Sequence, residues 1–288
     1  MTFDLRWLIP VLALAALILL AIERLAPLRS LRRELLPGLL LNAVISVLAF
    51  GTSAVLVQPA AAAILGWSAE RRVGVIPALS LPEPAGAVLA FLLLDLSFYY
   101  WHRANHQIPF LWRFHNVHHI DPDLDVSTSF RFHFGEVALS TAFRVIQIAV
   151  IGVPVQTFAV YELAFQLNTL LHHSNMRLPI RLERLLNLVL VTPRMHGIHH
   201  SQVRMETNSN YSVVFSWWDR LHRTVRLNVP QSRITTGVPG YSQPEDNRLA
   251  AALSLPFRRQ REYWRLPDGS TVARDAADLG ADPGHLEE

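Results

Sequence analysis

Residues 85–119 read AGAVLAFLLLDLSFYYWHRANHQIPFLWRFHNVHH. The run from Ala85 to Tyr100 is apolar apart from Gly86, Asp95 and Ser97, and five histidines follow it by His119. A run of that length and character predicts a helix that enters a membrane, and imidazoles at its end predict a ligand cluster at the membrane surface. Two further clusters extend the pattern: LLHHSN contributes His172 and His173, and MHGIHH contributes His196, His199 and His200.

Spacing makes the clusters more than a count. His102 and His106 stand four apart, as do His115 and His119, and His196 and His200, so each pair shares one helix face. His118 and His199 sit beside their pairs. Nine imidazoles, from His102, His106, His115, His118, His119, His172, His196, His199 and His200, exceed the four donors one zinc needs and suffice for two ions. The chain has no cysteine, which excludes thiolate ligands, disulfides and a cysteine nucleophile. Imidazole alone does not choose the metal. A membrane-surface site without thiolates suits iron and the oxidation of an apolar substrate with O2.

Supporting roles are expected for three more residues. Asp95 lies two helical turns before His102 and is costly inside an apolar span unless paired, so it is read as a proton acceptor for a ligand imidazole. Asn168 precedes His172 by one turn, and His173 is read as supporting rather than coordinating. Asp121, Asp125, Arg131, His133 and Glu136, and Asn208, Asn210, Tyr211 and Asp219, are weaker candidates whose plainer role is to anchor a lid. Trp217 and Trp218 read as interfacial anchors. Arg103 and Arg113 are expected at headgroups or carboxylates, and lone histidines such as His222 and His285 in solvent.

Around these motifs, the 288 residues are 51% hydrophobic and 17% charged, with a mean hydropathy of +0.23, so an integral membrane protein is expected rather than a soluble domain. Trp7 to Ile22 is one apolar run. Leu35 to Ala63 is a second, expected as a helix from near Pro37 to near Pro59. A Gly- and Pro-rich connector with room for a short interfacial helix follows. Val137–Val153 and Val155–Leu171 flank Gly152 and Pro154 as a membrane hairpin. The first run lacks a basic flank and a small-residue cleavage site, so it is not read as a cleaved leader. The fold class is therefore all-α, with four to five transmembrane helices and a cytosolic histidine-rich helical cap. Residues 1–84 are expected to form the N-terminal helices and connector, 85–230 the catalytic domain, and 231–288 a polar tail. Arg24, Arg29, Arg32 and Arg33 share the histidines' side, which the positive-inside rule makes cytoplasmic with the N-terminus outside. No basic block interleaved with aromatics suggests nucleic acid, despite a pI near 9.7.

The ordered set HRANH, HNVHH, hairpin, LLHHSN, TPRMHGIHHS, NSNY and WWDRLHRT resembles the fatty acid hydroxylase/sterol desaturase superfamily over roughly residues 85 to 225, above all its bacterial members. The resemblance implies a histidine-held di-iron centre on the nine histidines above, O2 as co-substrate and a lipid substrate. It also implies a bacterial inner-membrane location and a separate electron donor, such as a ferredoxin or cytochrome with an NAD(P)H reductase. Hydroxylation or desaturation of a fatty acyl, sterol or isoprenoid C–H bond is the leading expectation. Ether-lipid oxygenation or carotenoid hydroxylation on the same fold is the alternative. A membrane metal transporter or storage protein is a third reading, but the histidines gather on one side and only Asp95 is a strong ionisable candidate within a span.

Overall fold

The computed structural model describes residues 8–275, 279 and 286; Trp7 and His285 lie outside them. Among these residues the architecture is all helical, with β-pairing confined to isolated bridges. The principal elements are α1 (Leu8–Leu25), α2 (Leu35–Thr52), α3 (Gln58–Arg71), α4 (Val75–Leu79), α5 (Glu83–Gln107) and α6 (Pro109–His119). They are followed by α7 (Phe134–Ile151), α8 (Val155–His173), α9 (Ile180–Asn187) and α10 (Pro193–His199). Among the described residues three helical stretches are long and apolar enough to cross a membrane: Leu35–Leu79, Glu83–Gln107 and Phe134–Ile151.

The second span does not end near Pro59, as expected. A π-helical turn at Ser53–Val57 joins α2 to α3, and Gln58 N–H bonds Ser53 O across it. Proline ends a regular helix because it lacks the N–H for the next ladder bond. A π turn already displaces that ladder by one residue, so Pro59 fits in the first turn beyond it. The helix therefore runs on to Arg71. The hairpin between α7 and α8 forms where Gly152 and Pro154 predict it. Gly152 caps α7 at φ +68°, and a Cβ on Gly74 would lie 2.3 Å from the Gly152 nitrogen. Both glycines are needed for that approach. The last expected span becomes α8, whose Glu162, Gln166 and Asn168 make it more polar than the three above.

An apolar core of Leu65, Leu94, Ile148, Phe158 and Tyr161 joins α3, α5, α7 and α8. A second core, with Ile45, Trp112, Val117 and Ile120, seats α6 and the C-terminal segment around Val238 and Leu255. Between them the 120–133 loop carries a buried acidic hub. Asp123 accepts from the Arg32 and Arg33 backbone N–H groups, both at 2.8 Å. Asp121 pairs with Arg33 at 2.9 Å, and Asp125 with Arg24 at 3.0 Å. Arg131 is fully buried, donating to Asn42, Asn247 and Val117 O. Arg24, Arg32 and Arg33, read above as orientation signals, thus also clamp the end of α1 and the α1–α2 connection to the loop, while Arg29 donates to Pro193 O and Gln231. Glu23 of α1 accepts from Val126 and Asn175 N–H at 3.1 and 2.8 Å, which ties the first helix to the same cap.

Asp95 corrects its expected role. It does not reach an imidazole. Its carboxylate accepts from Val214 and Phe215 N–H, at 3.3 and 3.0 Å, and from Trp218 Nε1 at 2.7 Å. The cost of an acid in an apolar helix is offset by three donors from the 214–218 segment. Trp218 is accordingly a buried-side partner of Asp95. We expect Asp95→Ala to leave those donors unpaired and to cost on the order of 2–4 kcal/mol. Thermal unfolding in detergent checks this: the variant should melt well below the parent, and an unchanged melting temperature would contradict the assignment.

Candidate metal centre

Four helix ends bring the histidines together. His102, His106, His115, His119 and His199 form one group, and His118, His173, His196 and His200 a second, with the donor nitrogens of each group within 4.8 Å of one another. Helix geometry explains the division. α5 supplies only the first group and α8 only the second. α6 gives His115 and His119 to the first and turns His118 to the second, whereas α10 and its C-cap give His199 to the first and His196 and His200 to the second. All nine are buried except the half-buried His106.

The expectation named His172 as a donor and His173 as support; the structure places His173, rather than His172, in the second group. Adjacent helical residues point about 100° apart, so only one can face the group. His173 Nε2 lies 3.1 Å from His118 Nε2 and 3.0 Å from His196 Nε2. His172 instead faces Asn168, Nδ1 to Nδ2 at 3.3 Å, and packs its ring on His196 with centroids 4.2 Å apart. Asn168 in turn donates to Val213 O at 2.5 Å. Asp95 belongs to neither group.

Backbone and carboxylate acceptors fix the outward nitrogens. His102 Nδ1 lies 2.8 Å from Tyr211 O, His199 Nδ1 2.7 Å from Ser209 O, and His173 Nδ1 2.9 Å from Thr169 O. His115 Nδ1 lies 2.8 Å from Glu136 Oε1. A proton held on Nδ1 by each acceptor leaves the lone pair on Nε2, aimed into the group. Inside, Nε2 of His115, His119 and His199, and both nitrogens of His106, are buried without a hydrogen-bond partner. Buried polar atoms ordinarily find partners. In the second group the Nε2 of His196 and His200 are 3.1 Å apart, so four Nε2 atoms follow one another at about hydrogen-bond distance. That is close to the roughly 3.3 Å separation of ligand nitrogens around an ion bound at about 2.0–2.1 Å. Orphaned lone pairs converging in this way fit metal ions.

Electrostatics agree. Burial first, and neighbouring imidazoles second, hold His118, His119, His196 and His200 well below the ordinary imidazole range. His199 is pushed down to about 3, again by burial. Neutral imidazole is the form that binds metal.

Of the weaker candidates, Glu136 touches the site, whereas Asp121, Asp125 and Arg131 belong to the clamp and His133 caps α7 through Gly135 N–H. Asp219 accepts from Tyr211 and Ser212 N–H at 2.9 and 2.8 Å, and Asn210 donates to Met195 O and Arg226 O. Together they hold the 209–211 backbone that orients two imidazoles. Asn208 donates to Arg204 O and stays outside. His222 is not simply solvated, because its Nε2 meets Tyr100 OH at 2.7 Å and its ring stacks on Tyr99. Sequence reasoning missed the Ser209 carbonyl, which has no side-chain signal. It also missed Trp112, whose ring lies 4.9 Å from His106 and 5.3 Å from His119. Trp112 precedes His115 by three residues and His119 by seven, so helical spacing carries that signal.

Two predictions arise here. His173→Ala should lower the metal bound per chain by about one ion, while His172→Ala retains it; elemental analysis showing the reverse would restore His172 as the donor. The metal-free protein should also lose stability in acid. Its buried histidines stay neutral while those of the unfolded chain protonate below about 6.5, so stability is intact above that value and falls as pH drops toward 3. Thermal scans should show the decline already between about pH 6.5 and 5, where ordinary carboxylates remain ionised. A melting temperature flat over that window would contradict it.

A family model described as fatty acid hydroxylase matches residues 87–224. The chain is 31% identical over 179 residues to an ornithine lipid hydroxylase of Rhizobium tropici, covering 62% of this chain and 52% of that protein. It is 30% identical over 135 residues to an alkylglycerol monooxygenase of Homo sapiens, covering 47% and 29%. With a cholesterol 25-hydroxylase of Rattus norvegicus the identity is 26% over 152 residues, covering 52% and 50%. The chain therefore spans about half the length of these relatives or less. No solved structure matches it significantly.

Proposed function

We propose that this chain, whose residues 87–224 match a family model described as fatty acid hydroxylase, is a membrane oxidoreductase acting on a lipid C–H bond. The observation that carries the reading is the pair of imidazole groups, the first with unpartnered nitrogens and the second with four Nε2 atoms crowded together. We assign one iron to His102, His106, His115, His119 and His199, and a second to His118, His173, His196 and His200. Bound iron, with O2 as co-substrate, supplies the oxidising power that no side chain here provides.

The chain's own residues do the rest. Glu136, Ser209 O, Tyr211 O and Thr169 O keep the Nδ1 protons in place, so every oriented imidazole offers its lone pair inward. Trp112 and Tyr211 wall the first group, with the Tyr211 ring 5.3 Å from His106, and help to exclude water. Hydroxylation consumes one O2, two electrons and two protons, and yields an alcohol and water; desaturation yields an alkene and two waters. The electrons are assigned to a separate carrier, a ferredoxin or cytochrome served by an NAD(P)H reductase.

The relatives act, by name, on an ornithine lipid, an alkylglycerol and cholesterol. Each is a lipid with a polar end, which suits a site at the ends of membrane helices. We therefore favour hydroxylation of a polar-headed membrane lipid. The alkylglycerol monooxygenase match supports ether-lipid oxygenation as the second reading. Arg24, Arg29, Arg32 and Arg33 on the histidine side support a cytoplasmic site in a bacterial inner membrane.

Supplying heavy-isotope O2 to membranes holding the chain, with reductant and carrier, tests the reading. A lipid that gains one labelled oxygen, or loses two hydrogens, is expected, and His118→Ala or His199→Ala should abolish that product. Unaltered turnover in either variant would count decisively against the assignment.

A further inference from the structure

α9 is amphipathic in the opposite sense to a helix of a soluble cap. Two of its polar residues face inward: Glu183 is fully buried, accepts from Arg194 N–H at 2.8 Å and pairs with the Arg194 guanidinium. Asn187 is also buried and accepts from Arg220 Nη2 at 2.9 Å. Its leucines face outward. Leu185 and Leu188 are 64% and 58% exposed, and Leu182, Val189 and Trp217 add to the same apolar surface. A soluble surface rarely gathers such a patch without something to cover it.

Neighbouring contacts fix the depth of that patch. Leu190 pairs with Phe215, whose ring lies 5.8 Å from Phe91 of α5. Asp95 of α5 holds the adjoining Val214 and Phe215 N–H groups and the Trp218 indole. Asp95 stands five residues inside the Tyr100 end of the apolar run, about 7–8 Å along the helix axis, and Phe91 lies deeper. The 187–191 and 214–218 segments therefore lie beside a membrane-crossing helix below its end. Interfacial helices bury their apolar faces to about 5–10 Å, at the headgroup–acyl boundary. Trp217, with its indole donating to Leu188 O at 2.9 Å, suits that layer. Arg177 and Arg181, both exposed on the same segment, suit anionic headgroups above it.

We propose that α9, with residues 188–190 and 215–217, is seated in the interfacial layer of the bilayer as a non-spanning membrane element. The occupant of its apolar face is lipid, continuous with the lipid around α5. The 209–218 segment joins this element to the centre: Ser209 O and Tyr211 O orient His199 and His102 just before residues 214–218 meet Asp95. Seating α9 in lipid thus sets the level of the first histidine group at the bilayer boundary. The inference rests on the membrane placement of α5 and not on the oxidation chemistry of the site.

The absence of cysteine makes the test direct. Leu185→Cys and Leu188→Cys in the full chain are spin-labelled in phospholipid nanodiscs, and collisions with O2 and with a water-soluble nickel chelate are compared. Val150→Cys on the exposed face of α7 is the lipid standard, and Ser242→Cys on the exposed cap is the aqueous one. Both leucine positions are surface-exposed, and size-exclusion profiles matching the unlabelled protein identify folded samples. We expect both labels to favour O2 over the chelate, as at Val150. Chelate preference like that at Ser242 would overturn the proposal by showing water there. Protection from both reagents would overturn it too, by showing that protein covers the face. None of these readouts requires metal or turnover, so a failed lipid-oxidation assay would leave this result standing.

Discussion

The structure depends on holding many neutral imidazole lone pairs together in a dry space. Without partners such an arrangement opposes folding, because lone pairs face lone pairs and buried nitrogens lose water without replacement. The chain meets this with rigidity. Each donor sits on a helix or a helix cap, and carbonyls of Thr169, Ser209 and Tyr211 and the Glu136 carboxylate restrict the proton positions. The division of α6 and α10 between both groups means neither group can form without the other being close. Burial, which holds the histidines neutral, also readies them to accept cations.

That rigidity is transmitted to the membrane helices by charged clamps. The acidic loop at 121–125 takes arginines from the α1–α2 connection, and Glu23 binds the backbone at Val126 and Asn175. Buried ion pairs contribute little net stability against apolar packing, but losing one partner is severe. Their value here is geometric, since they hold the cap at one position over α1, α2 and α8. Asp95 does the same for the opposite rim, where it fastens the 214–218 segment to the flank of α5.

Much of this was readable from residues alone, for definite reasons. Apolar runs exposed α1, α5 and α7, and Gly152 with Pro154 exposed the hairpin, because span length and turn chemistry are local properties. The i,i+4 histidine pairs identified the helix faces for the same reason. What resisted reading depends on distant partners. An acid at position 95 signals that it needs donors, but not that Val214, Phe215 and Trp218 supply them. His172 and His173 are adjacent, and only the rotation of α8 decides which one brings its Nε2 to those of His118 and His196. The continuation of the span from α2 into α3 past Pro59 rests on a π turn without a sequence marker. Ser209 O acts through the backbone, where side-chain identity carries no information. The reversed polarity of α9 was open to inspection, since Glu183 and Asn187 alternate with leucines, but which face turns outward is set by Arg194 and Arg220.

The central claim is that two groups of histidines each hold a metal ion. Elemental mass spectrometry of the detergent-purified chain, expressed with iron available and without a histidine tag, addresses it most directly. The account predicts close to two ions per folded chain, with iron predominant. A monodisperse, folded sample without tightly bound metal, and unable to take up iron on reconstitution, would contradict it.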